Sequence, residues 1–282
     1  NAESTQSDTL TAFGTDGFTL GADSANYVGG SSTSTVSWSW LAGGSASSNS
    51  DGSITASVSA NTTAGFSIVK YTGNATNSTV GHGLGVTPQV LIVKNLDSTS
   101  SSAEHWRVQH HKVAASKVLY LNQTNAEDTN NDFQSTYPGT STFSISSADG
   151  CNKNGEENIA YCFAEKQGYS KFGSYTGNGN ADGAFVYTGF KPAFVIFKRT
   201  NGTGNWQLID NKRIGFNVDN YTLYPNSNIA DQDENDADIL SNGFKLRGTG
   251  TDGNGSGDTY IYMAFAENPF VTSGTKAAGT AR

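Results

Sequence analysis

The stretch that decides the fold is present twice, as Ile159-Ala-Tyr-Cys-Phe-Ala-Glu165 and, about 100 residues later, as Ile261-Tyr-Met-Ala-Phe-Ala-Glu267. Successive side chains of a β-strand point to opposite faces of its sheet. In the second copy we therefore expect one face to carry Tyr260, Tyr262, Ala264 and Ala266, and the other to carry Ile261, Met263 and Phe265. The stretch predicts a closing strand at equivalent points of two tandem units.

Other segments recur in the same order and at the same spacing. The segment Gly65 to Asn74 recurs at Gly168 to Asn178, and the segment Val86 to Lys94 recurs at Phe190 to Lys198. Trp106 is matched by Trp206. We therefore define a first repeat, residues 65–167, and a second repeat, residues 168–270.

Three further segments complete the predicted organisation. Residues 1–44 are interpreted as the C-terminal half of an upstream repeat, because Asp16-Gly-Phe-Thr-Leu20 matches Asn242-Gly-Phe-Lys-Leu246. Residues 45–64 are rich in Ser, Thr and Ala, which predicts an extended linker or an edge strand. Residues 271–282 are assigned as a C-terminal tail.

Short alternating runs between Gly, Asn, Asp and Pro turns fill each repeat, as strands do. Several such strands within about 100 residues are typical of a β-sandwich or a jelly roll. Pro88 and Pro192 are expected at strand starts, because proline cannot donate a hydrogen bond to a central ladder. The sequence thus predicts an all-β fold of tandem, jelly-roll-like β-sandwich repeats.

Composition and charge exclude several classes of partner. The chain has 282 residues and a formal net charge of −8. Binding to nucleic acid needs a basic face that displaces counterions, so we expect no nucleic-acid partner. No apolar run approaches the ~20 residues that span a bilayer, so we expect no membrane insertion.

The sequence carries no motif for catalysis. It contains neither a Ser nucleophile elbow nor an HExxH motif. A glycosidase needs only two acids, so a glycan-degrading depolymerase remains as a minor alternative, and we expect no enzyme. Cys151 and Cys162 have no metal-binding spacing. We favour two unpaired thiols, with a disulfide as the alternative.

One loop has the oxygen spacing of a calcium site. In Asp252-Gly-Asn254-Gly-Ser-Gly257-Asp258, the ligand candidates are Asp252, Asn254 and Asp258, although Met263 stands where a bidentate Glu is expected. A tight Gly/Asn turn is the simpler interpretation. Calcium is therefore the one cofactor that the sequence leaves open.

Aromatic residues supply the candidates for recognition, since sugars stack on Trp and Tyr rings. Trp106 and Trp206 recur at one position, which favours a buried anchor. Tyr137, Tyr221 and Tyr224 lie in or beside loops, where binding residues are common, so we select them as receptor-binding candidates. The cluster His105, His110 and His111 is interpreted as exposed strand residues rather than as a metal site.

The segments Gly65–Asn74, Gly81–Pro88, Ile159–Glu165, Leu240–Arg247 and Tyr260–Phe270 carry a family resemblance over residues 65–282. They resemble a repeated β-domain of tail-fibre-like and other virion surface proteins of bacteriophages, especially marine ones. That family supplies no catalytic residues to transfer.

The resemblance implies a location on the virion and a non-catalytic tail fibre or receptor-binding appendage. Its partners would be other virion proteins and a host surface glycan or protein. By analogy with other fibres, a homo-oligomer, and a trimer in particular, is expected. A capsid decoration or head-fibre protein is the first alternative. The depolymerase is the second.

Overall fold

The structure is a computed structural model of the chain. It describes residues 6–31, 34–97, 105–213, 217, 221–234 and 236–269; the tail assigned to 271–282 lies outside the described residues. The architecture is nearly all-β, as the alternating runs predict. The chain divides into two compact units, Ala2–Trp40 and Leu41–Arg282.

The N-terminal unit is built on one hairpin. Its strands β1 (Leu10–Phe13) and β2 (Phe18–Leu20) pair antiparallel, and all their side chains are exposed. After the hairpin, the carboxylate of Asp23 accepts hydrogen bonds from the backbone amides of Tyr27, Val28 and Gly29. The hairpin therefore exposes its apolar side chains, while the loop after it is held by hydrogen bonds to the buried carboxylate of Asp23.

In the larger unit, residues up to 167 form an eight-stranded antiparallel sheet and a separate strand pair. The elements in chain order are β3 (Ser47–Asn49), β4 (Ala56–Asn61), β5 (Phe66–Thr72), β6 (Ser78–Gly81), β7 (Val90–Asn95), β8 (Arg107–His110), β9 (Lys117–Tyr120), β10 (Asp128–Thr129), β11 (Thr142–Ile145), the one-turn helix α1 (Asp149–Asn152) and β12 (Glu157–Phe163). The sheet order is β10-β9-β8-β7-β12-β5-β4-β3, and β6 pairs with β11.

The second repeat forms a four-stranded sheet, a three-stranded sheet and a short pair. Its strands are β13 (Ser170–Thr176), β14 (Phe185–Tyr187), β15 (Pro192–Arg199), β16 (Trp206–Asp210), β17 (Tyr221–Thr222), β18 (Gln232–Asp233), β19 (Ala237–Leu240), β20 (Gly243–Leu246) and β21 (Thr259–Ala266). The order β13-β21-β15-β16 reproduces the order β5-β12-β7-β8. The closing strand therefore lies between the same two partners in both repeats.

The Ser/Thr-rich segment 45–64 belongs to the sheet instead of forming a free connection. β3 pairs with β4, and β4 pairs with β5 from Ser57 to Asn61, so β3 is the edge strand. The reason is the alternation within β4, where Ala56 and Val58 are buried in the core. The edge-strand interpretation applies here, and the linker interpretation does not.

Each repeat has its own apolar core between its sheets. In the first repeat, Ala160 and Cys162 of β12 pack with Val80 of β6 and Phe143 of β11. In the second, the core joins β21 to β14, β15, β16, β19 and β20. Residue Cys151 also lies in the first core, and both cysteines are free thiols. The interpretation as unpaired thiols agrees with this arrangement.

The two repeats also contact each other directly. The Gly204 amide donates a 2.9 Å hydrogen bond to the Thr124 carbonyl, and the Glu127 amide donates a 2.8 Å bond to the Thr200 carbonyl. The rings of Phe163 and Phe265 meet edge to face at 6.0 Å. Both faces of β21 are therefore buried, one in its own core and one toward the first repeat. In the described part of the chain, no helix is long and apolar enough to cross a membrane.

Candidate binding site

A large cavity with a polar lining lies in the first repeat. Its volume is about 550 Å³, within the range of small-ligand sites. The wall is built by β8, β9, β10, the loop before β10 and the start of α1. Its lining residues include Arg107, Tyr120, Gln123, Asn125, Asp128, Asn130, Asp132 and Asp149.

A buried ion pair forms the floor of this cavity. Nε of Arg107 lies 2.5 Å from a carboxylate oxygen of Asp132, and both side chains are almost fully buried. Burial disfavours the charge of the guanidinium, yet the neighbouring Cys151 and Asp132 raise the pKa of Arg107 above its ordinary value. Each side chain is the charge partner of the other, and removing one would leave a lone buried charge, which is strongly unfavourable.

Tyr120 connects the floor to the rim of the cavity. Its hydroxyl donates a 3.1 Å hydrogen bond to Asp128 and accepts one of 3.3 Å from Asn130. The guanidinium carbon of Arg107 lies 5.9 Å from the ring centre, and the ring of His105 lies 5.0 Å from it. An aromatic wall is thus surrounded by amide and carboxylate groups.

The second repeat has a different polar group at the same place. Here Gln207 replaces Arg107, and its amide donates a 2.9 Å hydrogen bond to Asp236, the counterpart of Asp132. Thr222 also donates to Asp236 at 2.8 Å. Burial raises the pKa of Asp236 to about 6, with Glu234 adding to the rise and both hydrogen bonds opposing it. The charged floor is therefore specific to the first repeat.

The tyrosines chosen from the sequence have different environments. Tyr137 is 42 % exposed and borders a small cavity with Pro138, while its hydroxyl donates a 2.7 Å bond to the Val113 carbonyl. Tyr221 is partly exposed in β17. Tyr224 is almost fully buried, and burial together with Asp236 raises its pKa. Tyr224 therefore has no open ring face for stacking, and Tyr120, its counterpart in the first repeat, is equally buried.

The residues proposed for calcium have protein partners instead. Asn254 is 1 % exposed; its amide nitrogen donates to Asn178, Asn180 and Gly248, and its oxygen accepts the Asn178 amide. Asp258 accepts a 2.7 Å bond from Arg199, and Asp252 accepts one of 2.9 Å from Asn205. Within the described ranges, no three His, Cys, Asp or Glu side chains form a metal-binding group.

The histidines are more buried than the sequence indicates. His110 is 1 % exposed, and its Nε2 lies 3.3 Å from the Tyr262 carbonyl of the second repeat. His111 Nε2 lies 2.9 Å from the Phe172 carbonyl. The interpretation as an exposed strand residue is wrong for His110, because the second repeat covers this end of β8; His105 and His111 are partly exposed and lie outside the strand. Burial, together with smaller contributions from His111 and Lys112, lowers the pKa of His110 to about 3.

The cavity residues were not selected from the sequence. One signal for them is present: Arg107 follows Trp106, whereas Gln207 follows Trp206, so the repeats differ in charge next to a shared anchor. Asp132 is matched by Asp236, so both repeats keep the acidic partner. The difference in charge between Arg107 and Gln207 therefore marks the polar floor of the cavity.

A protein-family model described as "Domain of unknown function (DUF7483)" matches residues 1–269. The match runs through the N-terminal unit and both repeats. No curated protein and no solved structure has significant similarity to the chain.

Proposed function

Because the chain belongs to the DUF7483 family of unknown function, its role rests on its own repeats and cavity; from these we propose a non-catalytic structural protein of a bacteriophage virion. Its role is that of a tail fibre or receptor-binding appendage that contacts the host surface. The proposed fold is a tandem array of jelly-roll-like β-sandwiches, each of about 100 residues. Support comes from the shared strand order of the two repeats.

The observation that carries the binding role is the lining of the cavity in the first repeat. Amide donors and acceptors from Gln123 and Asn125 stand beside the Tyr120 ring and the carboxylates of Asp128 and Asp149. Sugar hydroxyls both donate and accept hydrogen bonds, so these polar groups can hold a saccharide, while the Tyr120 ring, 8 % exposed, forms part of the wall rather than a surface for stacking. With Arg107 already neutralised by Asp132, the remaining carboxylates favour an uncharged saccharide over an anionic one.

The proposal is tested by adsorption to host cells. Purified chain added before infection is expected to occupy the receptor and to reduce the number of plaques. Asn125→Ala and Asp149→Ala remove exposed side chains from the cavity rim and are expected to weaken cell binding. Asn154→Ala, an exposed position outside the lining, serves as the matched control.

Other results would favour the alternatives. Full infection in the presence of saturating protein would contradict receptor binding and favour a capsid decoration or head-fibre protein. Release of soluble sugar from host polysaccharide would favour the depolymerase.

A further inference from the structure

The outer face of the first repeat's sheet, the face turned away from its own core, has a close counterpart in the second repeat. In the first repeat, Tyr161 of β12 pairs with Ile68 on one side and Ile92 on the other. In the second repeat, Met263 of β21 pairs with Phe172 and Ile196 in the same register. The two faces are therefore equivalent, position by position, and Trp106 and Trp206 complete them.

The equivalent positions differ in burial. Phe172, Ile196, Trp206, Ile261 and Met263 in the second repeat are all less than 9 % exposed. Their counterparts in the first repeat are all partly exposed: Ile68, Ile92, Trp106, Ile159 and Tyr161. The difference arises because the second face receives the first repeat, through the loop after β9 and through His110 and His111.

The loop that makes this contact is the segment 120–128. The indole of Trp206 donates a 2.8 Å hydrogen bond to the Tyr120 carbonyl. Thr124 and Glu127 supply the carbonyl and the amide of two further hydrogen bonds to the second repeat. Leu119, which precedes the loop, is fully buried.

The second repeat has a loop of the same geometry, the segment 224–232. The Ser227 amide bonds to the Tyr224 carbonyl as the Gln123 amide bonds to the Tyr120 carbonyl. The pairing of Gln232 with Thr222 likewise repeats that of Asp128 with Val118. Unlike its counterpart, this loop is largely exposed, and Leu223 before it is only partly buried.

The segment 224–232 also carries an exposed apolar side chain. Ile229 is 51 % exposed at its tip, and a polar residue, Asn125, occupies the equivalent position of the first loop. Ile229 therefore places an apolar side chain on the loop that matches the interface loop of the first repeat.

We propose that a second copy of this chain docks head to tail, placing its segment 224–232 on the partly exposed face around Trp106. The contact repeats the one between the two repeats of a single chain. Trp106 Nε1 would then donate to the Tyr224 carbonyl of the second copy, as Trp206 donates to Tyr120. The interface is heterologous, so it closes into a ring or extends into a filament. It does not depend on the proposed saccharide site.

Single-face variants test this proposal. Trp106→Ala removes the ring at the centre of the partly exposed face, here called the receiving face. Ile229→Asp places a charge on segment 224–232, here called the donating loop. Each change is expected to weaken association by about 30-fold. Tyr187→Ser, at a 63 % exposed aromatic residue of β14, is the matched control. Ile159→Thr is a second receiving-face variant that keeps β-propensity. Mass is measured by light scattering after size exclusion, with circular dichroism to verify folding.

Mixing the two variants gives the decisive result. At a concentration where the wild-type contact forms and a contact about 30-fold weaker does not, each variant alone is expected to be monomeric. The mixture forms a one-to-one dimer and nothing larger, because one intact face meets one intact loop. The proposal is overturned by a wild-type chain that stays monomeric at every concentration. It is equally overturned by variants that assemble like the control, or by a mixture that does not recover the dimer.

Discussion

The indole N–H of Trp206 donates a 2.8 Å hydrogen bond to the carbonyl oxygen of Tyr120, whose ring lines the polar cavity of the first repeat. One residue therefore has its backbone held by the second repeat while its side chain faces the candidate ligand. The geometry of the cavity is coupled in this way to the packing between the repeats.

Trp206→Phe tests that coupling. It keeps an aromatic ring but removes the donor, leaving a carbonyl at the interface with one partner fewer. We expect a loss of about 1–3 kcal/mol in the free energy of unfolding and weaker saccharide binding, although Trp206 does not line the cavity. Chemical denaturation and titration with host polysaccharide measure the two effects. Trp106→Phe is the matched control, and equal effects on binding from the two variants would contradict the coupling.

Asn254→Asp distinguishes a structural asparagine from a calcium ligand. The change removes the donor that bonds to the backbone carbonyls of Asn180 and Gly248 and introduces a buried charge. We expect a loss of about 2–4 kcal/mol in unfolding free energy, with or without calcium. Asn152 makes the same kind of contacts in the first repeat, to Thr76 and Ser146, so Asn152→Asp should behave alike. Recovery of stability on adding calcium would contradict this role and restore the calcium site.

Arg107→Ala leaves Asp132 as an uncompensated buried carboxylate. We expect a loss of about 3–5 kcal/mol in unfolding free energy. Arg107→Gln reproduces the Gln207–Asp236 pair of the second repeat and is expected to lose less. Urea unfolding of both variants, with Arg107→Ala/Asp132→Ala to complete a double-mutant cycle, measures the interaction. Additive effects of the two single changes would show that the two side chains have no coupling energy and would contradict the ion pair.

His110 predicts a decrease of stability in acid. Its folded pKa of about 3 lies below the ordinary 6.5, so the folded state favours the neutral ring. The stabilisation is complete above pH 6.5 and is lost as the pH falls toward the folded pKa, by about 2 kcal/mol between pH 6.5 and 5. The cations around the histidine pair, Lys112 and Lys171, oppose protonation, whereas Glu165 favours it at His111.

The measured quantity is the free energy of unfolding as a function of pH, compared between wild type and His110→Gln. Asp236, with a folded pKa of about 6, acts in the opposite direction, since its folded state gains protons as the pH falls below 6. Subtraction removes that contribution because both proteins contain it. A His110→Gln variant with the same pH dependence as wild type would refute the assignment.

The all-β class and the alternation of the closing strands follow from the sequence because their signals are local. The period of two in 159–165 and 261–267 depends only on neighbouring residues. Pro192 is the first residue of β15, as its missing donor requires. Predicting these features does not require knowing which segments pack on the sheet.

The site could not be derived in the same way, because it depends on contacts between distant segments. Tyr224 lies in or beside a loop of the sequence yet is buried. His110 alternates like an exposed residue, but the second repeat covers it. Arg107 and Asp132 meet across 25 positions of sequence, and nothing local to either one indicates the other.

The receptor-binding role is tested most directly by electron cryomicroscopy of particles that carry this chain, at a resolution that traces it. The account predicts density at the tail, with the cavity around Arg107 and Tyr120 open toward the outside. Density lying on the capsid lattice, with that cavity facing the shell, would contradict the account and assign the chain to capsid decoration.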